Sequence, residues 1–112
     1  MREYRLYLND ILAAIASIES FVGRMDLEAF QADDKTTSAV IRKLEIIGEA
    51  AKQVPEDIRH SYGEVPWKEM AGMRDRLIHA YMGVDFRLLW KTIKEDLPTT
   101  RKLVQSILNE NP

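Results

Sequence analysis

Apolar residues recur at steps of three and four through almost the whole chain, and this period is the strongest constraint on what it can fold into. Tyr4, Leu8, Ile11, Leu12, Ile15, Ile18 and Val22 draw one stripe along a first helix, which Gly23 ends. Asp26 can cap a short turn, "LEAF", because its carboxylate accepts the free N–H groups of a helix start. "QADDK" is polar and reads as a loop. From about Lys35 a second long helix carries Val40, Ile41, Leu44, Ile47, Ala51 and Val54 on one face, and Pro55 interrupts it. "PEDIRHSYG" has proline in its first turn and Gly63 just past its end, the signature of one short helix. The spacing then predicts one helix over "PWKEMAGMRDRLIHAY" that stops at Gly83, a helix capped by Asp85 over "FRLLWKTIKEDL", and a last helix from Pro98 with Leu103, Val104, Ile107 and Leu108 inward. No alternating strand pattern appears. The expected fold is all-α, an antiparallel bundle of about four long helices plus short ones.

A length of 112 residues suits one domain spanning 1–112, and 46% hydrophobic content is ample for one core. Charged residues make up 30%, yet the net charge is only −2, so nucleic-acid binding has to use a local patch or a partner. There is no cysteine, which removes disulfides and thiolate metal sites and fits a reducing cytoplasm. The N-terminal "MREYRLYLND" has charges every few residues and no signal-peptide core, and no stretch approaches the ~20 apolar residues of a membrane span. The expectation is a soluble cytoplasmic domain with no membrane association.

Most catalytic constellations are missing. Two histidines without HExxH-type spacing make a protein-built metal site improbable, and no cofactor motif is present. Ser17, Ser20, Ser38, Ser61 and Ser106 lack a nucleophile-elbow context. Gly72 and Gly83 are too far apart to cradle phosphate together. His60 stands at the end of a short helix, where a cation complements the dipole, and reads as structural or solvated. Trp67 and Met70 read as core; Trp90 suits either core or a dimer interface.

What remains is "GMRDRLIHAYMGVD", residues 72–85, where Arg74, Asp75, Arg76, His79 and Tyr81 crowd together. On a straight helix Arg74 and Tyr81 share a face, but His79 lies roughly 140° around from Arg74. Arg76 is better placed for His79, at i+3. Either the helix ends near His79 and Gly83 lets the chain turn, or a second subunit completes the site across a two-fold axis. Histidine moves protons near neutral pH, arginine grips phosphate, and tyrosine stacks on a base or bonds a phosphate. The set suits metal-independent RNA cleavage, in which the ribose 2′-OH is the nucleophile and a dimer supplies one His79 as base and another as acid. It also suits a plain helix end, with His79 complementing the dipole and Asp75 and Arg76 as surface charges.

The pattern Arg-x4-His-x-Tyr, as "RDRLIHAY", resembles the signature of the HepT-like ribonuclease toxins of the HEPN superfamily. The likeness extends over residues 39–85, including "IIGEAAK", the "PW" helix start and the "GVD" exit, and the flanking helices are compatible. The resemblance implies an all-α homodimer with motif helices facing across a cleft, and metal-independent endoribonuclease activity. It implies that Arg74 stabilises the phosphate, that His79 is the general acid/base, and that Asp75, where the family often has asparagine, orients the pair. It further implies an MNT-type nucleotidyltransferase antitoxin that transfers AMP onto Tyr81, with the dimer alone or assembled further with that partner. Met82 stands where an aromatic is common. The rival reading is a non-catalytic helical module that dimerises and docks a nucleotidyltransferase or a nucleotide through the same residues.

Overall fold

The computed structural model describes residues 3–79 and 83–111, and at 74 and 77–79 the backbone alone. The described residues form an all-α fold whose only strands are two residues each. Helix α1 (Glu3–Val22) and helix α3 (Asp34–Gln53) are the two longest single helices. They pair through Leu8, Ile11, Ile15 and Ile18 on one side and Val40, Leu44, Ile47 and Ala51 on the other, all buried. Tyr7 and Asp10 of α1 share a depression with Glu49, Ala50 and Gln53 of α3, so the two helices run antiparallel.

Their connection is tighter than the polar sequence suggests. Helix α2 (Leu27–Ala32) takes in the start of "QADDK", and Asp33 both ends α2 and caps α3. The caps explain this: Ala29 N–H donates to the Asp26 carboxylate at 2.8 Å and Thr36 N–H to that of Asp33 at 3.0 Å. The Thr36 backbone N–H, helped by the Thr36 side chain, holds the Asp33 carboxyl below its ordinary value. A lowered folded value means that this cap contributes fully above about pH 4 and is lost as the pH falls below it. An acid titration of Asp33→Asn against the parent therefore shows the difference in stability shrinking below that pH.

Helices α4 (Glu56–Ser61) and α5 (Trp67–Ala71) follow. Trp67 is buried with its indole N–H donating to Tyr62 O at 3.1 Å, and Met70 is buried beside it, so both are core. His60 is exposed at the end of α4. The Tyr62 hydroxyl accepts from Asn111 Nδ2 at 2.9 Å, which ties this corner to the end of the chain.

Sequence reading placed a helix boundary at Pro98, and here the structure differs. Helix α7 (Phe86–Lys91), a π-helical turn (Thr92–Asp96) and helix α8 (Leu97–Glu110) run on without a break. Proline lacks an N–H and its ring crowds the carbonyl four residues back. The wide turn, in which Leu97 N–H reaches Thr92 O, lets the helix absorb that defect. Asp85 does cap α7, accepting from Leu88 N–H at 3.1 Å. Arg5 donates to the Leu108 carbonyl at 3.2 Å, and Arg101 meets Glu19 at 3.0 Å, so α8 runs antiparallel to α1.

Phe30 sits where α2, α3 and α7 meet. It is 0% exposed, edge-on to Phe86 with centroids 6.3 Å apart and tilted against Trp90 at 5.2 Å. Trp90 is thus half-buried core, with the Lys94 ammonium 5.1 Å from its ring centroid. Phe30→Ala is expected to cost about 3–5 kcal/mol by urea denaturation and to weaken the near-UV signal of Trp90. A loss below about 1 kcal/mol would mean that the cluster is not the anchor described.

Candidate active site

The motif does not sit on one helix. Gly72 closes α5, its N–H bonded back to Lys68 O at 3.0 Å, and a separate short helix α6 (Met73–Leu77) begins at once. Strand β1 (Ile78–His79) follows and pairs antiparallel with β2 (Gly83–Val84), Ile78 opposite Val84 and His79 opposite Gly83. The expected continuous helix to Tyr81 is therefore corrected: it breaks at Gly72 and ends at Leu77. The residues themselves supply the reason. Glycine is a poor helix former, and β-branched Ile78 favours an extended backbone. The end at Leu77 agrees with the alternative in which the helix stops near His79, and Gly83 opens β2 with φ +78°, a conformation that costs other residues roughly 1–2 kcal/mol.

Arg74 thus stands on a helix and His79 on a strand, so the 140° separation of a straight helix does not apply to them. Tyr81 lies outside the described residues. Asp75 and Arg76 are both exposed and line different cavities. Asp75 faces α3 across a polar cavity of about 390 Å³, shared with Arg42, Glu45, Glu49 and Lys52. The charges there are largely matched, Arg42 with Glu45 at 3.5 Å and Lys52 with Glu49 at 3.7 Å. Arg76 faces α8 across a second cavity of about 410 Å³, its guanidinium donating to the Glu69 carbonyl at 3.0 Å. Among the described residues no three His, Asp or Glu side chains converge as a metal site would require, and no helix is long and apolar enough to cross a membrane.

Comparison with known proteins identifies the family of the whole domain. The family model described as "Ribonuclease HepT-like" matches residues 11–107. The chain belongs to the HepT-like ribonuclease family. It is 55% identical over 100 residues to a Thermococcus cleftensis protein named "Probable ribonuclease HepT", covering 89% of this chain and 91% of that one. It is 44% identical over 109 residues to a Methanocaldococcus jannaschii protein named as a candidate RNase, covering 97% and 94%. A similarly named protein of Caldanaerobacter subterraneus subsp. tengcongensis is 44% identical over 110 residues, covering 98% of both. No solved structure matches the chain.

One position that sets where α5 and the following short helix lie is a glycine of the long helix α3. Gly48, within "IIGEAAK", lies in the middle of α3, where an added Cβ would stand 3.1 Å from Met70 O and 3.4 Å from Ala71 O. A glycine interrupting an otherwise helical stripe was the available signal, since such a residue usually has a packing reason. Those carbonyls are backbone at the end of α5, so they cannot swing aside as a side chain would. Gly48→Ala sets a helix-propensity gain of about 1 kcal/mol against the crowding, and the net change should be small. Gly48→Val adds two methyls and should destabilise by about 2 kcal/mol or more, measured in urea. Equal stability of the two variants would contradict a close backbone contact.

Proposed function

We propose that this HepT-like chain is a metal-independent endoribonuclease acting as a toxin, with Arg74 and His79 as its catalytic residues at the cleft of a homodimer. The observation that carries the reading is the end of α6 at Leu77, which sets Arg74 and His79 on separate elements within one family-matched segment. One His79 imidazole takes the proton of the ribose 2′-OH, and O2′ attacks phosphorus. Arg74 stabilises the charge on the non-bridging oxygens of the phosphorane-like transition state. The P–O5′ bond breaks as the second subunit's His79, as imidazolium, protonates the leaving oxygen. The products are a 2′,3′-cyclic phosphate and a 5′-hydroxyl. Asp75 and Arg76 support the motif.

The partner in this reading is an MNT-type nucleotidyltransferase antitoxin, in a cytoplasmic complex, that transfers AMP onto Tyr81. A bulky anion there would repel RNA from the cleft, a local electrostatic off-switch.

Purified protein incubated with RNA and EDTA tests the enzymatic claim. Cleavage is expected to persist in EDTA and to fall about 10²–10⁴-fold in His79→Ala. A magnesium requirement contradicts the mechanism, and equal cleavage by parent and variant removes His79 from it. In cells, growth arrest on expression should vanish with the same substitution. Co-expressing the nucleotidyltransferase should add the mass of one AMP to the parent but not to Tyr81→Phe.

A further inference from the structure

The cavity on the α8 side of the motif helix is built differently from the one on the α3 side. Its floor is apolar, formed by the buried Met70 and Met73 and the partly buried Leu103. Thioethers on flexible stems suit a flat aromatic ring, whose edge they contact favourably. The exposed Arg76 guanidinium, bonded to Glu69 O, lines the same cavity, and a planar guanidinium stacks on a base face. At about 410 Å³ the cavity falls within the range of small-molecule sites. It is also adjacent to the motif, because Met73 and Arg76 belong to the same five-residue helix as Arg74.

Its charge decides what part of a ligand enters. Glu64, Glu69 and Asp96 contribute three carboxylates, of which Asp96 is paired with Lys91 at 3.6 Å, against the one lining guanidinium, so the lining disfavours a phosphate and not an uncharged ring. Ionised carboxylates only accept hydrogen bonds. They therefore pair with a base that offers an amino group, as adenine, cytosine and guanine do. Uracil has no amine and presents carbonyl oxygens at those positions, so only its N3–H can donate on that edge and the carbonyls face the carboxylates unpaired.

We infer that this cavity is a base-binding subsite that seats one unpaired, amine-bearing nucleobase next to the scissile phosphate. The inference rests on the ribonuclease reading above. RNA enters with its phosphate at the motif segment and the flanking base turned into the Met70–Met73–Leu103 slot. Arg76 is then a specificity residue, while Arg74 remains the phosphate ligand.

Two measurements test this separately from catalysis. Cut sites of the parent mapped on a mixed-sequence RNA should show uracil under-represented about tenfold at one flanking position. That bias should weaken in Leu103→Trp, which fills the slot, and in the exposed-site variant Thr99→Arg, which covers its rim. An unchanged cut pattern in both variants overturns the subsite, whereas a parent that cuts no RNA overturns the ribonuclease reading instead. Independently of cleavage, the methionine methyl NMR signals of the parent should shift with millimolar adenosine or cytidine and much less with uridine. Methyl signals of Met70 and Met73 that ignore all three nucleosides, or respond equally to uridine, overturn the proposal whatever the enzyme does.

Discussion

The missing side chain at residue 48 sets how close α5 comes to α3. With only hydrogen there, the carbonyls of Met70 and Ala71 lie against the long helix at a distance no larger residue permits without displacement. Everything downstream inherits that position: the break at Gly72, the short helix with Arg74, and the two-residue ladder with His79. Behind the contact, α1 and α3 hold the position through a continuous buried seam from Leu8 to Ala51. Close-packed interiors transmit displacements rather than absorb them, so a motif built on this contact is placed by the core.

The same packing explains how the motif escapes regular helix. A straight helix would set Arg74 and His79 on different faces, and a ligand could not meet both. The chain instead stops after one short helix and changes to extended backbone, where pairing of His79 with Gly83 fixes the direction of exit. Gly83 opens β2 with a positive φ, and Asp85 then starts the next helix with a side-chain cap. A few residues thus convert a helical sequence into a corner between α6 and α7.

Electrostatics divides the surroundings of that corner. With a net charge of −2 the molecule has no broad field to attract a polyanion, so binding depends on local cations. Arg42 and Lys52 on the α3 side are engaged by neighbouring carboxylates and offer little to phosphate. On the α8 side Glu64, Glu69 and Asp96 line a cavity with a methionine floor, Asp96 paired with Lys91. Helix α6 lies between these two regions, with Asp75 lining one cavity and Arg76 the other.

Much of this was legible in the residues. The periodic stripes of Leu8–Val22 and Val40–Val54 determined the long helices, because amphipathic helices have to bury one face. Asp26 and Asp85 marked helix starts because a carboxylate satisfies free N–H groups wherever a helix begins. "RDRLIHAY" in its setting identified the family. Three things were decided by tertiary structure. The helix over "PWKEMAGMRDRLIHAY" broke where Gly72 and Ile78 already weakened it, and the contact of α5 with α3 and the ladder with Gly83 fixed the positions of the break and the end. The chain continued through Pro98 because a widened turn relieved the clash that a proline ordinarily makes. Asp75 and Arg76, neighbours in sequence, came to face α3 and α8 separately, since the direction of a side chain depends on where its helix is docked and not on its spacing in the chain.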